Sequence, residues 1–356
     1  MCMNLSSLPT LDKLKETLQI PAVNTGRMLN YGGIVSDDNE GIHAIVDQHG
    51  YMRLQSGVEM PMYMYRGQTE EFVPCLPALG RLKTVESQFL ALCRNVAFED
   101  ALGEHPYVRI AEQTDFLGMP LYIDKQGLAQ HYGLATDMID LTCNFDVASF
   151  FAVCKWDGHE KKYRPVTSSS NPGVIYRIAP FSLLSIAWAE KAERWDDAFS
   201  IVGWQPLPRP EQQRACGVKL HNGQDFLSVP TVQKVYFRHS EDVSMQIWNA
   251  FDQGAALFPN DAAATLAIEA LKLGSFTRAQ VERAWSNLGS WLGRPVAVSE
   301  HMLAEERATM TFVNEPVLNW DGLDIERNED LLSEQLNEVL NSVCFRRVLY
   351  PKHLGS

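Results

Sequence analysis

"QHYGLATDMIDLTCNFDVASFFAVC", residues 130–154, is the stretch whose reading decides the fold. It opens on Gln130, His131 and Tyr132, turns at Gly133 and ends in an amphipathic run. Glycine tolerates the left-handed conformation that closes many helices, so a short helix is expected to end at this turn. Met138, Ile139 and Leu141 then read as strand residues, with Asp140 and Thr142 alternating with them or sitting at the strand end. Asn144 or Asp146 is placed to cap a second helix, whose Val147, Phe150, Phe151 and Cys154 form a buried face. Polar side chains at a helix–strand–helix junction admit two readings. One is a hydrogen-bonded buried turn; the other is the wall of a small-molecule site.

Outward from this stretch the pattern keeps alternating between helical and strand periods. On the N-terminal side, "PMYMYRGQ" reads as a short strand ending in Arg66 and Gly67. "TVESQFLALCRNVAFEDAL" follows as a helix, because Val85, Phe89, Leu92, Val96 and Leu102 recur at three- and four-residue steps. Before it, "TLDKLKETLQI" predicts a helix with Thr10 as cap, and "GIHAIVDQHGYMRL" a hairpin over roughly 42–55 that turns at "QHG". On the C-terminal side, "NPGVIYRIAP", "GVKL" and "VQKVYFRH" are strand candidates. "SEDVSMQIWNAF", capped by Ser240, and "NDAAATLAIEALKL" read as helices. The polar segment "DGHEKKYRPVTSSSNPG" is expected to be an exposed loop. After about residue 275 helices dominate, with "TRAQVERAWSNL" and "NEDLLSEQLNEVLNSVCF" the clearest. The class is α+β, a compact mixed sheet core with surrounding helices. Three regions are expected: a lead-in over 1–58, a central domain over 59–275 and a mostly helical region over 276–356.

The formal charge of −13 on 356 residues argues against a broad nucleic-acid face, which needs clustered cations. Seven cysteines lie scattered with no C-x-x-C pair, which suggests a reducing compartment and no metal site. The N-terminus lacks a basic start followed by an apolar run, and no apolar stretch is long enough to span a bilayer. A cytoplasmic protein with no membrane partner is the expectation. Phosphate loops, dinucleotide fingerprints, zinc-protease motifs and nucleophile elbows are all missing from the sequence.

Three polar constellations remain. The first is Tyr65, Arg66, Gly67 and Gln68, where a guanidinium leaves a strand beside a glycine. That arrangement suits an anionic ligand, because arginine bonds phosphate bidentately and glycine lets backbone approach. The second is the 130–154 stretch itself. The third, "RPEQQRACGVKL", places Arg209, Glu211, Gln212, Gln213 and Arg214 ahead of a strand.

These constellations carry a resemblance. "MYRGQTEEFVPCLPALGRLKTVESQFLALCRNVAFED" together with "QHYGLATDMIDLTCNFDVASFFA" resembles the FRG domain, a family named for an aromatic-Arg-Gly motif, here Tyr65-Arg66-Gly67. "RPEQQRACG" and "ALFPNDAAATLAIEAL" are similar to the family's later segments, so the resemblance runs over roughly residues 60–275. In the family's usual "QHYGLPTRLLDWT" run, Ala135 here replaces proline, Asp137 arginine and Leu141 tryptophan. The resemblance implies a bacterial, cytoplasmic toxin or phage-defence setting. Its layout is similar to that of ADP-ribosyltransferases, which implies NAD as substrate and a transferase or NAD-consuming enzyme with an unknown macromolecular target. On that reading Tyr65, Arg66, Gly67, Gln68, Gln130, Tyr132 and Thr142 bind the cofactor: Arg66 anchors the pyrophosphate, His131 and Tyr132 shape the nicotinamide-ribose pocket, and Thr142 takes the position of the hydroxyl-bearing strand. His131 and Asp140 carry the chemistry, with Asp140 orienting His131 or stabilising positive charge. Gln213 or Glu211 fills the late acceptor-orienting position. The alternative is a non-catalytic module that senses a nucleotide or a partner.

Overall fold

The computed structural model of the protein describes residues 4–18, 42–46, 50–56, 63–180, 200–229, 231–297 and 310–345. In chain order the strands begin with β1 (Ile42–Val46), β2 (Met52–Ser56), β3 (Met64–Gln68), β4 (Asp115–Phe116), β5 (Met119–Pro120) and β6 (Met138–Thr142). They continue with β7 (Cys154–Asp157), β8 (Lys162–Pro165), β9 (Gly173–Ile178), β10 (Ser200–Ile201) and β11 (Ala215–Lys219). The last are β12 (Gln233–Phe237), β13 (Ser275–Phe276), β14 (Thr311–Phe312) and β15 (Val343–Phe345). The helices are α1 (Leu11–Leu18), α2 (Val85–Glu104), α3 (Pro106–Glu112), α4 (Lys125–His131) and α5 (Phe145–Val153). After these come α6 (Pro208–Gln212), α7 (Glu241–Ala250), α8 (Ala262–Ala270), α9 (Arg278–Leu292) and α10 (Glu329–Asn341).

The centre is a six-stranded sheet in the order β10-β11-β6-β3-β9-β12. Each neighbouring pair in it is antiparallel, which corrects the expectation of a mixed sheet. Alternation of apolar residues encodes which face is buried; strand direction is decided by tertiary placement, which alternation does not record. Parallel ladders among the described residues join β1 to β15 and β13 to β14, outside this sheet. The class is α+β, as the sequence predicts.

Period-two patterning gives the sheet two apolar faces. Met64, Ile139, Leu141, Val174, Tyr176 and Val218 bury one of them with Phe226. Tyr65 and Ile175 point to the other, where α5 packs through Phe145, Ala148 and Phe150. Gly67 makes that packing possible: a Cβ built on it would sit 1.8 Å from the Ala148 carbonyl oxygen. Beyond the sheet, α2 presents Phe89, Leu92 and Val96 to α9, where Phe89 stacks on Trp285 with ring centroids 3.6 Å apart. Such a ring pair adds roughly 0.5–1.5 kcal/mol beyond its buried area. Thr84 and Ser87 close a reciprocal capping box at the start of α2.

The β1–β2 hairpin forms as expected, although Gln48 and His49 of its turn lie outside the described residues. β15 adds to it in parallel, so segments near both chain ends share one sheet. Thr10 stands at the cap of α1, its carbonyl accepting from Leu14 N. Ser240 stands at the N-cap of α7, as expected, its carbonyl accepting from Ser244 N, although its side chain makes no capping bond. The segment 157–173 is only partly the loop that its polarity predicts. Residues 162–165 pair with β7 as a hairpin, held by Tyr163, whose ring packs on Phe150 and Phe258.

Candidate functional site

The helix–strand–helix stretch is built as its sequence suggests. Asp124 caps α4, its carboxylate accepting from Gly127 N at 2.8 Å. The helix closes at Tyr132 and Gly133, whose φ of 92° favours glycine. Gln130 Oε1 accepts from Thr136 Oγ1 and ties the turn to the next strand. Asn144 caps α5 by accepting from Asp146 N and Val147 N.

Register places the polar residues of β6. Thr142 is paired with Tyr65, so Thr142 and Asp140 point to the α5 face of the sheet. β3 and β6 share that single pair, whereas β3 pairs with β9, and β6 with β11, over five positions each. The sheet therefore opens beside Tyr65. Arg66 bridges the opening, its Nη1 donating to the Asp140 carbonyl oxygen at 2.7 Å.

On the α5 face three elements converge. His131 Nδ1 lies 2.8 Å from Gln213 Oε1, and Gln213 Nε2 donates to Leu257 O at 3.0 Å. The second bond fixes the Gln213 amide with its oxygen toward the ring. Nδ1 of His131 is therefore the donor, and in the neutral ring the lone pair lies on Nε2. Thr142 Oγ1 donates to Gln213 O at 2.7 Å, which locks the end of α6 to β6. His131, Thr142 and Gln213 are all buried. His131 Nε2 and Asp140 Oδ1 are buried too, and neither has a hydrogen-bond partner.

Aromatic rings and one cation complete the surroundings. The Arg209 guanidinium lies over the Tyr132 ring at 4.6 Å and reaches Phe258 at 5.7 Å, while its Nε makes no hydrogen bond. Tyr163 stacks on Phe258, ring centroids 4.8 Å apart. Burial pushes the Tyr163 phenol up to about 12; the Asp140 carboxylate adds to this and Arg209 opposes it. Tyr132 donates its hydroxyl to Asp261 Oδ2 at 2.6 Å. Burial, then the Asp261 charge, raises its pKa.

The expected site residues thus divide. His131, Thr142 and Gln213 come together, with Asp140 on the same face. Asp140 does not orient His131; Gln213 does. Glu211 turns elsewhere, its Oε1 accepting from Ser56 Oγ at 3.1 Å on β2. Gln130 and Tyr132 serve the turn and the Asp261 contact. Tyr65 is core, donating its hydroxyl to Leu18 O, and Gly67 admits α5. Arg66 and Gln68 alternate with these two and point to the opposite face. At the positions that depart from the family pattern, Asp137 accepts from Gln126 Nε2 and Leu141 is core. Tyr163 and Phe258 escape sequence reasoning, because one lies in a polar hairpin and the other beside a proline. Among the described residues no three His, Cys, Asp or Glu side chains gather to hold a metal, and no helix is long and apolar enough to cross a membrane.

Residues 61–161 match the family model of the FRG domain. The match takes in β3, α2, α4, β6 and α5, and ends before Gln213 and Arg209. No curated protein matches the chain, and no solved structure does.

Proposed function

We propose that this chain, which carries an FRG domain over residues 61–161, uses the α5 face of its sheet to bind NAD and cleave its nicotinamide–ribose bond. The observation that carries the reading is the pair of unpartnered acceptors, His131 Nε2 and Asp140 Oδ1, buried on one face beside Arg209 and stacked rings. Two buried acceptors call for a ligand rich in hydroxyl donors, because an unmade bond costs about 1–3 kcal/mol. A ribose supplies such donors. Arg209 offers a cation to phosphate oxygens, and Tyr163 and Phe258 offer flat apolar surface to a base.

The chemistry follows from these placements. As the glycosidic bond breaks, the electron pair leaves with nicotinamide, which departs neutral, and positive charge develops on the ribose. The Asp140 carboxylate faces that charge in a poorly solvated setting, where its attraction counts for more than in water. His131 Nε2 is free to take the proton of the hydroxyl that attacks. Gln213 holds His131 and spends both halves of its amide on His131 and Leu257 O. It has no carboxylate with which to orient a protein acceptor, so water is the favoured acceptor and ADP-ribose the product. In a bacterial cytoplasm, draining NAD in this way would act as a toxin or a defence.

Full-length protein mixed with NAD should release nicotinamide. His131→Ala and Asp140→Asn should each lower the rate at least about a hundredfold, the usual scale for a positioned base or charge. Release that both variants retain would move the chemistry away from this face. NAD binding without release in any sample would favour a nucleotide-sensing module. The full commitment of the Gln213 amide to structural bonds is the observation that favours this second reading.

A further inference from the structure

Arg66 and Gln68 stand two residues apart on β3 and share the face opposite α5, and Tyr176 lies directly across from Arg66 on β9. Three polar atoms there are buried and make no hydrogen bond: Arg66 Nε, Gln68 Oε1 and the Tyr176 hydroxyl. Tyr176 is wholly buried. Arg66 spends Nη1 on a neutral carbonyl, and no ion pair with a carboxylate is formed by it among the described residues. Among the described residues the carboxylates nearby are committed. Asp225 Oδ1 accepts from Cys75 N and Leu227 N, each at 3.0 Å. Glu71 accepts from Lys234 and from the Tyr236 hydroxyl. Asp140 directs its carboxylate to the other face.

The guanidinium and its neighbours feel one another. Burial pushes up the pKa of the Cys75 thiol and of the Tyr176 phenol, and the Arg66 charge pulls both back. Gln68 points its Nε2 at Cys75 Sγ, 3.8 Å away, which leaves its oxygen as the free end. Two donors and one acceptor therefore share this face with a positive charge that has no ion-pair partner among the described residues. Leaving such groups dry and unpaired is costly.

We propose that this face holds a second site, separate from the His131 site, for a protonated phosphate group. Its P–O oxygens accept from Arg66 Nε and the Tyr176 hydroxyl, and its P–OH donates to Gln68 Oε1. The group is carried by inorganic phosphate or by a phosphate monoester. Sulfate has the shape and charge of the hydrogen phosphate dianion but no proton to donate at neutral pH, and it would set its oxygen against Gln68 Oε1. A single buried water, which needs two to four polar partners, is the competing occupant.

Calorimetry on the full chain with inorganic phosphate, methyl phosphate and sulfate, at constant ionic strength, tests this. At least one of the two phosphates should bind, and sulfate should bind at least about tenfold more weakly. Tyr176→Phe keeps the ring and removes the donor, so it should weaken phosphate about tenfold, the effect of losing one charge-assisted hydrogen bond. His131→Ala should leave phosphate binding unchanged. The relative strength of the two phosphates identifies the source of the group. No binding of either, equal binding of sulfate, or loss of binding in His131→Ala would each overturn the second site. If Tyr176→Phe fails to fold, the phosphate-to-sulfate ratio of the unaltered protein still decides. NAD turnover can fail without touching this result, and the reverse holds equally.

Discussion

His131 and Gln213 stand 82 residues apart in sequence, and their Nδ1 and Oε1 atoms lie 2.8 Å apart in a buried contact. Because Gln213 also donates to Leu257 O, the contact does more than tether the ring. It selects the Nδ1–H tautomer and thereby creates the acceptor lone pair on Nε2.

Gln213→Leu removes both bonds while keeping similar bulk. It should strand the His131 Nδ1–H and the Leu257 carbonyl, costing about 2 kcal/mol or more, since each unmade buried bond costs about 1–3 kcal/mol. Urea unfolding measures that loss. Long-range nitrogen NMR tests the tautomer directly: Nδ1 should be the protonated nitrogen in the unaltered protein and lose that preference in Gln213→Leu. A protonated Nε2 in the unaltered protein would refute the assignment.

Gly67→Ala should destabilise by about 3 kcal/mol or more, at or above the usual range for overpacking. The obstacle is backbone, the Ala148 carbonyl oxygen 1.8 Å from the added carbon, with Ala152 N at 2.7 Å, so no side chain can rotate away. Either α5 lifts from β3 or the strand bends, and both disturb Asp140 nearby. Denaturant titration with near-ultraviolet circular dichroism reads both effects; a fully native midpoint would show that α5 has room to move.

Much of the fold was legible because period and packing agree. Phe89, Leu92 and Val96 repeat at helical steps and are buried along α2; Ile139 and Leu141 alternate with Asp140 and Thr142, and β6 divides its faces accordingly. The site was legible only in pieces. Local pattern marked the polar stretches and the family resemblance picked out His131, Asp140 and Gln213 in them, but the partner of His131 depends on how α6 docks, a long-range event that no local period encodes. The same limit explains Arg66. Its neighbour Tyr65 faces α5, so one residue of alternation sends the guanidinium to the opposite side. Tyr163 was hidden by composition, a single packing residue in a segment of Gly, Lys, Pro and Ser.

Tyr132→Phe should cost roughly 1.5–3 kcal/mol, the range for a hydrogen bond to a charged group. The lost bond is the 2.6 Å contact from the Tyr132 hydroxyl to Asp261 Oδ2. Asp261 still caps α8 through Oδ1 and Ala264 N, so the helix itself should persist. Equal far-ultraviolet spectra with a lower urea midpoint are expected. If Asp261→Asn reproduces the same loss, and the double variant adds little to it, the two residues act as one pair.

Glu99 gives the stability of the protein a pH dependence of unusual sign for a carboxylate. Its side chain is 19% exposed on α2, with Arg283 at 3.5 Å. Burial pushes its pKa up to about 7; Arg283 opposes, and Asp100 and Asp124 add to the rise. The folded protein therefore holds a proton on Glu99 between pH 4.5 and about 7 that the unfolded chain has released. Stability from this group falls as pH rises through that window. His105 does the opposite, since burial, aided by Arg327, lowers its pKa from 6.5 to about 4. Between those values the unfolded chain binds the extra proton, so stability from His105 rises with pH. The two slopes oppose each other from pH 4.5 to 6.5. Glu99→Gln removes one of them and leaves Arg283 paired to Asp100. Urea midpoints of the variant should climb from pH 4.5 to 6.5 more steeply than those of the unaltered protein, and should exceed them at pH 8. Parallel curves for the two proteins would show that Glu99 is ionised throughout and that its burial is relieved by solvent.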